Sequence, residues 1–142
     1  MRIRDVLKGK DIRDVVTVPP EASVRELLGL LAEHNVGALV VCRDEALEGI
    51  VSERDIVRRL AADETLLDHP VSSIMTSSVH TCTEEDTVDE LMKAMTERRI
   101  RHVPVVDEGR VTGIISIGDV VKRRIADLEF ERDQLDHYVH QT

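Results

Sequence analysis

The chain repeats itself. Residues 15–59 lie on residues 79–123 without a gap when the sequence is shifted by 64 positions. Identical pairs include Thr17/Thr81, Val24/Val88, Leu27/Leu91, Val41/Val105, Gly49/Gly113, Ile50/Ile114, Ser52/Ser116 and Asp55/Asp119. Two copies are too few for a solenoid, in which inner repeats bury a face on neighbours on both sides. A closed pair related by a pseudo-twofold axis is the arrangement the repeat predicts. A length of 142 residues suits two small units that share a core.

Each copy reads in the same order. A short strand (VVTV, VHTC) leads to a turn, PPEAS or TEEDT, that ends on a helix-capping Ser23 or Thr87. Val24, Leu27, Leu28 and Leu31, and again Val88, Leu91, Met92 and Met95, recur at i, i+3, i+4, i+7, the stripe of an amphipathic helix. A buried strand follows (GALVVC, HVPVV), then a tight polar turn (RDEA, DEGR) and a second strand (LEGIV, VTGII). So short a turn predicts an antiparallel hairpin. The second helix begins at Glu53 or Ile117 and carries Ile56, Val57 and Leu60, or Val120, Val121 and Ile125. The unit is β-α-β-β-α, and the fold class α+β with an α/β-like order. Similar phrases precede the copies, IRDVLKGK at residues 3–10 and VSSIMTSS at residues 71–78. The expected organisation is unit 1 with its lead-in at 1–62, a connector at 63–70, unit 2 at 71–125 and a C-terminal helical extension at 126–142.

Composition removes several classes of function. Nineteen Lys and Arg against 28 Asp and Glu give a net charge of −9, which disfavours nucleic acid and anionic membrane surfaces. No apolar run approaches the roughly 20 residues of a membrane span, and MRIRDVLKGKD lacks the apolar stretch of a signal peptide. Cys42 and Cys82 stand in strand text without a CxxC partner, as small core residues of a reduced, cytoplasmic protein do. With one Phe and one Tyr, the core is aliphatic.

The stretches VSSIMT, RRIRHVPVVDEGRVTGIISIGDVV and HNVGALVVCRDEALEGIVSERDIV resemble a tandem pair of cystathionine β-synthase (CBS) domains, a Bateman module. The resemblance covers about residues 1–125, and it extends to small stand-alone bacterial CBS-pair proteins in SERDIVR and the tail. It implies a regulatory ligand module with no catalytic residues, no catalytic cofactor and no metal. The ligand would be an adenosine compound such as AMP, ADP, ATP, NAD(H) or S-adenosylmethionine, held in two clefts between the units. By the family pattern one cleft combines Thr17, Ala22, Val36 and Gly37 with Ile114, Ser116 and Asp119. The other combines Thr81, Ile100 and Arg101 with Ile50, Ser52 and Asp55. An aspartate at a helix start can accept hydrogen bonds from both hydroxyls of a ribose, and the helix dipole favours its charge. The cations are unequal: Arg98, Arg99, Arg101 and His102 face only His34 in the first copy, while Arg54 has Gly118 as its counterpart. One cleft is therefore expected to take the more highly charged nucleotide, with Arg54 and Arg101 on the phosphates, His102 as a further donor and Arg58 and Lys122 as weaker candidates.

Plainer readings stand beside these. Asp55 and Asp119 can be helix caps, each stabilising the fold by about 1 kcal/mol. Thr17 and Thr81 can be strand residues, and the RRIRH run a solvated helix end. His137 and His140, i and i+3 with Asp133 and Asp136 nearby, lack a closing ligand for a metal. In the tail, Val121, Ile125, Leu128, Leu135 and Val139 make a 4–3 seam in which Arg132 takes one apolar place. A homodimer is expected, together with an unidentified regulated protein. The alternatives are a structural interaction module with vestigial sites and, with less support, a nucleotide-processing enzyme.

Overall fold

The computed structural model describes residues 1–9 and 15–140. Lys10, which ends the first lead-in phrase, and the last two residues of the C-terminal extension lie outside the described residues. In chain order the elements are α1 (Ile3–Lys8), β1 (Thr17–Val18), α2 (Val24–His34), β2 (Ala38–Arg43), β3 (Ala46–Ser52), α3 (Glu53–Leu60), α4 (Val88–Arg98), β4 (His102–Asp107), β5 (Arg110–Ser116) and α5 (Ile117–His140). Short 3-10 turns at Leu66–Asp68 and Val71–Ser73 join the two copies. The fold is mixed α+β, as the repeat predicts.

The strands form one sheet in the order β1-β2-β3-β5-β4. β1 runs parallel to β2, the β2/β3 and β4/β5 pairs are antiparallel hairpins, and the copies meet where Ala46 pairs with Arg110. In the second copy a single parallel bridge, Cys82 to Val105, stands where the first has β1. Both hairpins close through two residues at positive φ, Asp44 and Glu45 in one, Glu108 and Gly109 in the other. That is the type I′ geometry, whose twist matches that of the strands.

Ser23 and Thr87 cap their helices as expected, accepting from the amides of Glu26 and Glu90 at 3.1 and 3.2 Å. Both helices end in a left-handed residue, Asn35 or Arg99. The amides of Val36 and Ile100 then close back on Leu31 and Met95, each at 3.1 Å, satisfying carbonyls at the helix end.

Two cores lie side by side, and each lead-in packs into the other copy's core. Val71 and Ile74 are buried with Val18, Leu27, Val41 and Val51 of the first unit. Ile3 and Val6 are buried with Leu91, Val103, Ile115 and Val120 of the second. The backbone repeats the exchange: Val24 N–H donates to His69 O at 2.9 Å, and Val88 N–H donates to Met1 O at 3.0 Å. Glycines make room for it. A Cβ at Gly113 would lie 2.8 Å from Leu7, and one at Gly49 would lie 2.7 Å from Met75 Sδ and 2.9 Å from Thr76 O. Among the described residues no helix is long and apolar enough to cross a membrane.

Candidate functional site

The left-handed turn after α2 delivers Val36 and Gly37 to the boundary between the copies. Gly37 O accepts the first amide of α3 from Glu53 at 3.0 Å, and Arg101 O accepts that of α5 from Ile117 at 2.8 Å. In each copy the segment after the first helix is thereby pinned over the start of the second.

Each second helix starts with a capping box. Ser52 N–H donates to Asp55 Oδ2 at 2.8 Å, Ser52 Oγ donates to the same oxygen at 3.1 Å, and Asp55 N–H reaches Ser52 Oγ at 3.4 Å. Ser116 N–H donates to Asp119 Oδ2 at 2.9 Å, and Asp119 N–H to Ser116 Oγ at 3.1 Å. The capping role is therefore real in both copies. It engages Oδ2 and leaves both aspartates only partly buried.

A cleft of about 870 Å³ opens between the units. Val36 and Gly37 line it from the first copy, and Ile114, Ser116 and Asp119 from the second. Of the residues the family pattern assigns to this groove, Thr17 sits exposed in β1, and Ala22 is buried in the first core, where its carbonyl accepts from Val71 N–H at 2.7 Å. Neither lines the cleft. His102, expected as a donor beside Arg101, lines it too, its ring Cε1 3.9 Å from where a Gly37 Cβ would sit.

The second set is more open. Ser52, Asp55 and Ile50 are half-buried on β3 and α3, and Ile50 exchanges backbone hydrogen bonds with Thr76 at 3.0 and 2.9 Å. Ile100 is half-buried, while Thr81, Arg101 and Arg54 are exposed. Neither the 870 Å³ cleft nor a smaller cavity of about 400 Å³ against Arg58, Arg59 and His69 is lined by these residues.

The 870 Å³ cleft is also where the cations gather. Arg4 and Lys8 reach it from the exchanged lead-in, Lys122 and Arg123 from α5, with His34 and His102 beside them and Asp119 and Glu84 as the acids. Arg4 Nη1 holds Glu85 Oε1 at 3.1 Å. Arg123 Nε is buried without a hydrogen-bond acceptor among the described residues, 3.5 Å from Asp127 Oδ1. The same field acts on Asp5. The Arg2 amide that donates to its carboxylate, followed by Arg4, Arg123 and Lys8, holds it below the usual carboxylate range. On a chain of net charge −9, four basic side chains thus stand against two acids at the cleft, and two of the four, Arg4 and Arg123, also lie beside a carboxylate.

Arg4, Lys8 and Arg123 escaped the sequence reading for different reasons. Arg123 is one turn beyond Asp119 on α5, so an i, i+4 reading from the aspartate would have found it. Arg4 and Lys8 belong to the lead-in of unit 1 yet line the cleft beside unit 2, and local sequence carries no sign of that crossing.

The family model for the CBS domain matches residues 3–62 and 71–126. Among solved structures, the chain is similar to the CBS-domain containing protein ATU1752 from Agrobacterium tumefaciens, with 46% identity, 87% of this chain and 99% of that one covered, and a TM-score of 0.82. It is similar at 33% identity to the CBS domain protein PAE2072 from Pyrobaculum aerophilum complexed with AMP, over 84% of this chain and 89% of that one, with a TM-score of 0.74. The CBS domain pair of protein MJ0100, in complex with 5-methylthioadenosine and S-adenosyl-L-methionine, matches at 27% identity over 89% of this chain and 98% of that one, with a TM-score of 0.79.

Proposed function

This chain belongs to the CBS-domain family as a tandem pair, and on that premise we propose that it is a nucleotide-sensing regulatory module that binds an adenosine-containing ligand between its units. The observation that carries the reading is the cleft in which Ser116 and Asp119 of one copy face Val36 and Gly37 of the other, under a rim of cations. In this reading Asp119 and Ser116 take the ribose hydroxyls. Val36, Gly37 and Ile114 flank the adenine, and Arg123, Lys122 and Lys8 take the phosphates. AMP, ADP, ATP and NAD(H) all carry those three parts. The second groove, with Thr81, Ile100 and Arg101 opposite Ile50, Ser52 and Asp55, holds a second ligand, with Arg54 and Arg101 on its phosphates. The AMP of the Pyrobaculum relative and the adenosyl ligands of the MJ0100 pair support the ligand class.

The role is regulatory rather than catalytic. A ligand that touches both copies favours one relative arrangement of them, and a partner protein or a second copy responds if it distinguishes that arrangement. The proposed assembly is a homodimer and the proposed setting the cytoplasm. Thermal unfolding of the full chain with AMP, ATP and NAD tests the reading. Melting temperature rises saturably with at least one of them, because a ligand bound only by the native state stabilises it, and the nucleotide is recovered unchanged. No shift with any of the three contradicts the reading, and consumption of the nucleotide would return the enzyme alternative.

A further inference from the structure

The two lead-ins dock alike. Moving residues 71–76 back by 68 positions lays them on residues 3–8, and the backbone contacts then match one for one. Val71 and Ser72 N–H donate to Ala22 O and Pro20 O at 2.7 and 3.0 Å, while Ile3 and Arg4 N–H donate to Asp86 O and Glu84 O at 2.9 and 3.1 Å. Met75 packs onto Gly49 as Leu7 packs onto Gly113. The charges do not match. Arg4 and Lys8 stand where the second lead-in has Ser72 and Thr76, and both cations line the 870 Å³ cleft.

The helix behind each lead-in holds it differently as well. Arg59 of α3 donates from Nη1 to Ser73 O at 3.3 Å, which ties the second lead-in to that helix. Its counterpart on α5 is Arg123, whose Nε is buried without a hydrogen-bond acceptor among the described residues. Arg123 Nη1 lies 3.8 Å from where a Gly9 Cβ would sit, just past the end of α1. The same guanidinium lines the cleft, so it borders α1 and the ligand space at once. We propose that α1 is a strap closed by a ligand's phosphate, which sits between Arg123 and Lys8 and fastens α1 to α5. The proposal rests on the adenosine reading of the cleft and adds the signal to which that site responds. A guanidinium and an ammonium can share one phosphate through charge-assisted hydrogen bonds. Fastening therefore answers to the phosphate and not to the adenosine. α1 precedes unit 1 in the sequence but is seated in the core of unit 2, and the two hairpins join through the Ala46–Arg110 pair. The hold on α1 thus bears on how the copies sit. The second lead-in, tied already and uncharged at the matching positions, does not respond.

Residue-resolved amide hydrogen exchange of the full chain tests this beside the melting experiment. The ligand is whichever of AMP, ATP and NAD raises the melting temperature most, at saturation, with adenosine as the phosphate-free control. With nucleotide, exchange at Ile3, Arg4 and Gly9 is expected to slow about tenfold more than at Val71 and Ser72. With adenosine the two lead-ins are expected to change alike. In Arg123→Gln and in Lys8→Gln, with nucleotide raised until the melting temperature again levels off, the excess slowing at α1 is expected to vanish. A residue that only packs α1 would shift its exchange equally with and without nucleotide. That result, excess slowing with adenosine, no excess with a bound nucleotide, or its persistence in Arg123→Gln would overturn the strap and leave the cleft as a nucleotide site. No melting rise with AMP, ATP or NAD would remove the cleft reading, and the strap with it.

Discussion

Asp55 and Asp119 cap the second helix of each copy. Each closes a capping box through Oδ2, and Asp119 also lines the cleft between the copies. Replacement of Asp119 by Ala is expected to cost about 1 kcal/mol in urea unfolding and also to remove the nucleotide-dependent rise in melting temperature. A cap with no other duty would lose only the first. The duplicated Ser-x-x-Asp phrase was legible as a helix start, which both capping boxes show, while the sugar clamp came from the family resemblance and stands as a proposal. Cys82 was legible as a core residue, and it is buried. Burial first, and the charge of Asp86 second, push its thiol up to about 12 from the ordinary 9.0. An acid whose folded pKa is raised stabilises the fold below its unfolded pKa, and that contribution is lost as pH climbs from there to the folded value. The thiol is therefore expected to resist an aromatic disulfide reagent at pH 8 until the protein is unfolded, and stability to decline between pH 9 and 12. Rapid labelling of folded protein at pH 8 would contradict the buried environment.

At the scale of elements, apolar spacing located the helices, and the two-residue turns fixed both hairpins. The exchange of lead-ins was not legible. IRDVLKGK and VSSIMTSS look alike, yet nothing in a six-residue amphipathic helix says which of two similar cores receives Ile3 and Val6. Gly49 and Gly113 report on that docking. At Gly49 an added methyl meets the Thr76 carbonyl as well as Met75, whereas at Gly113 it meets only the flexible Leu7 side chain. Gly49→Ala is expected to destabilise by about 1–3 kcal/mol in denaturant unfolding, and Gly113→Ala by less. Equal or negligible effects would mean the lead-ins do not press on the strands. In the first hairpin Glu45 holds φ 71°, and the matching residue of the second hairpin is Gly109. Relieving a left-handed non-glycine residue makes Glu45→Gly stabilising by about 1 kcal/mol, against which the exposed Arg110–Glu45 pair at 3.5 Å weighs little. A drop in melting temperature would contradict the turn assignment.

For the molecule as a whole, the repeat in the sequence is also the architecture: two similar units joined edge to edge through β3 and β5, their lead-ins exchanged, with a ligand-sized cleft at the boundary. Val36, Gly37, Ile114, Ser116 and Asp119 line that cleft, while Thr17 and Ala22, which the family pattern also assigns to it, do not. The charge of the cleft was hidden in a chain of net charge −9. Its cations come from two distant segments that only the exchange brings together. A ligand spanning this boundary at a hundredfold excess over its Kd would add about 2.7 kcal/mol to the folded state, and it biases how the copies sit by its difference in affinity between their arrangements. The central claim is that the groove between the copies is the adenosine site, and a crystal structure of the full chain grown with AMP tests it most directly. The account predicts the sugar on Ser116 and Asp119, the base beside Val36 and Gly37, and the phosphate toward Arg123. AMP bound elsewhere while that groove stays empty would contradict it.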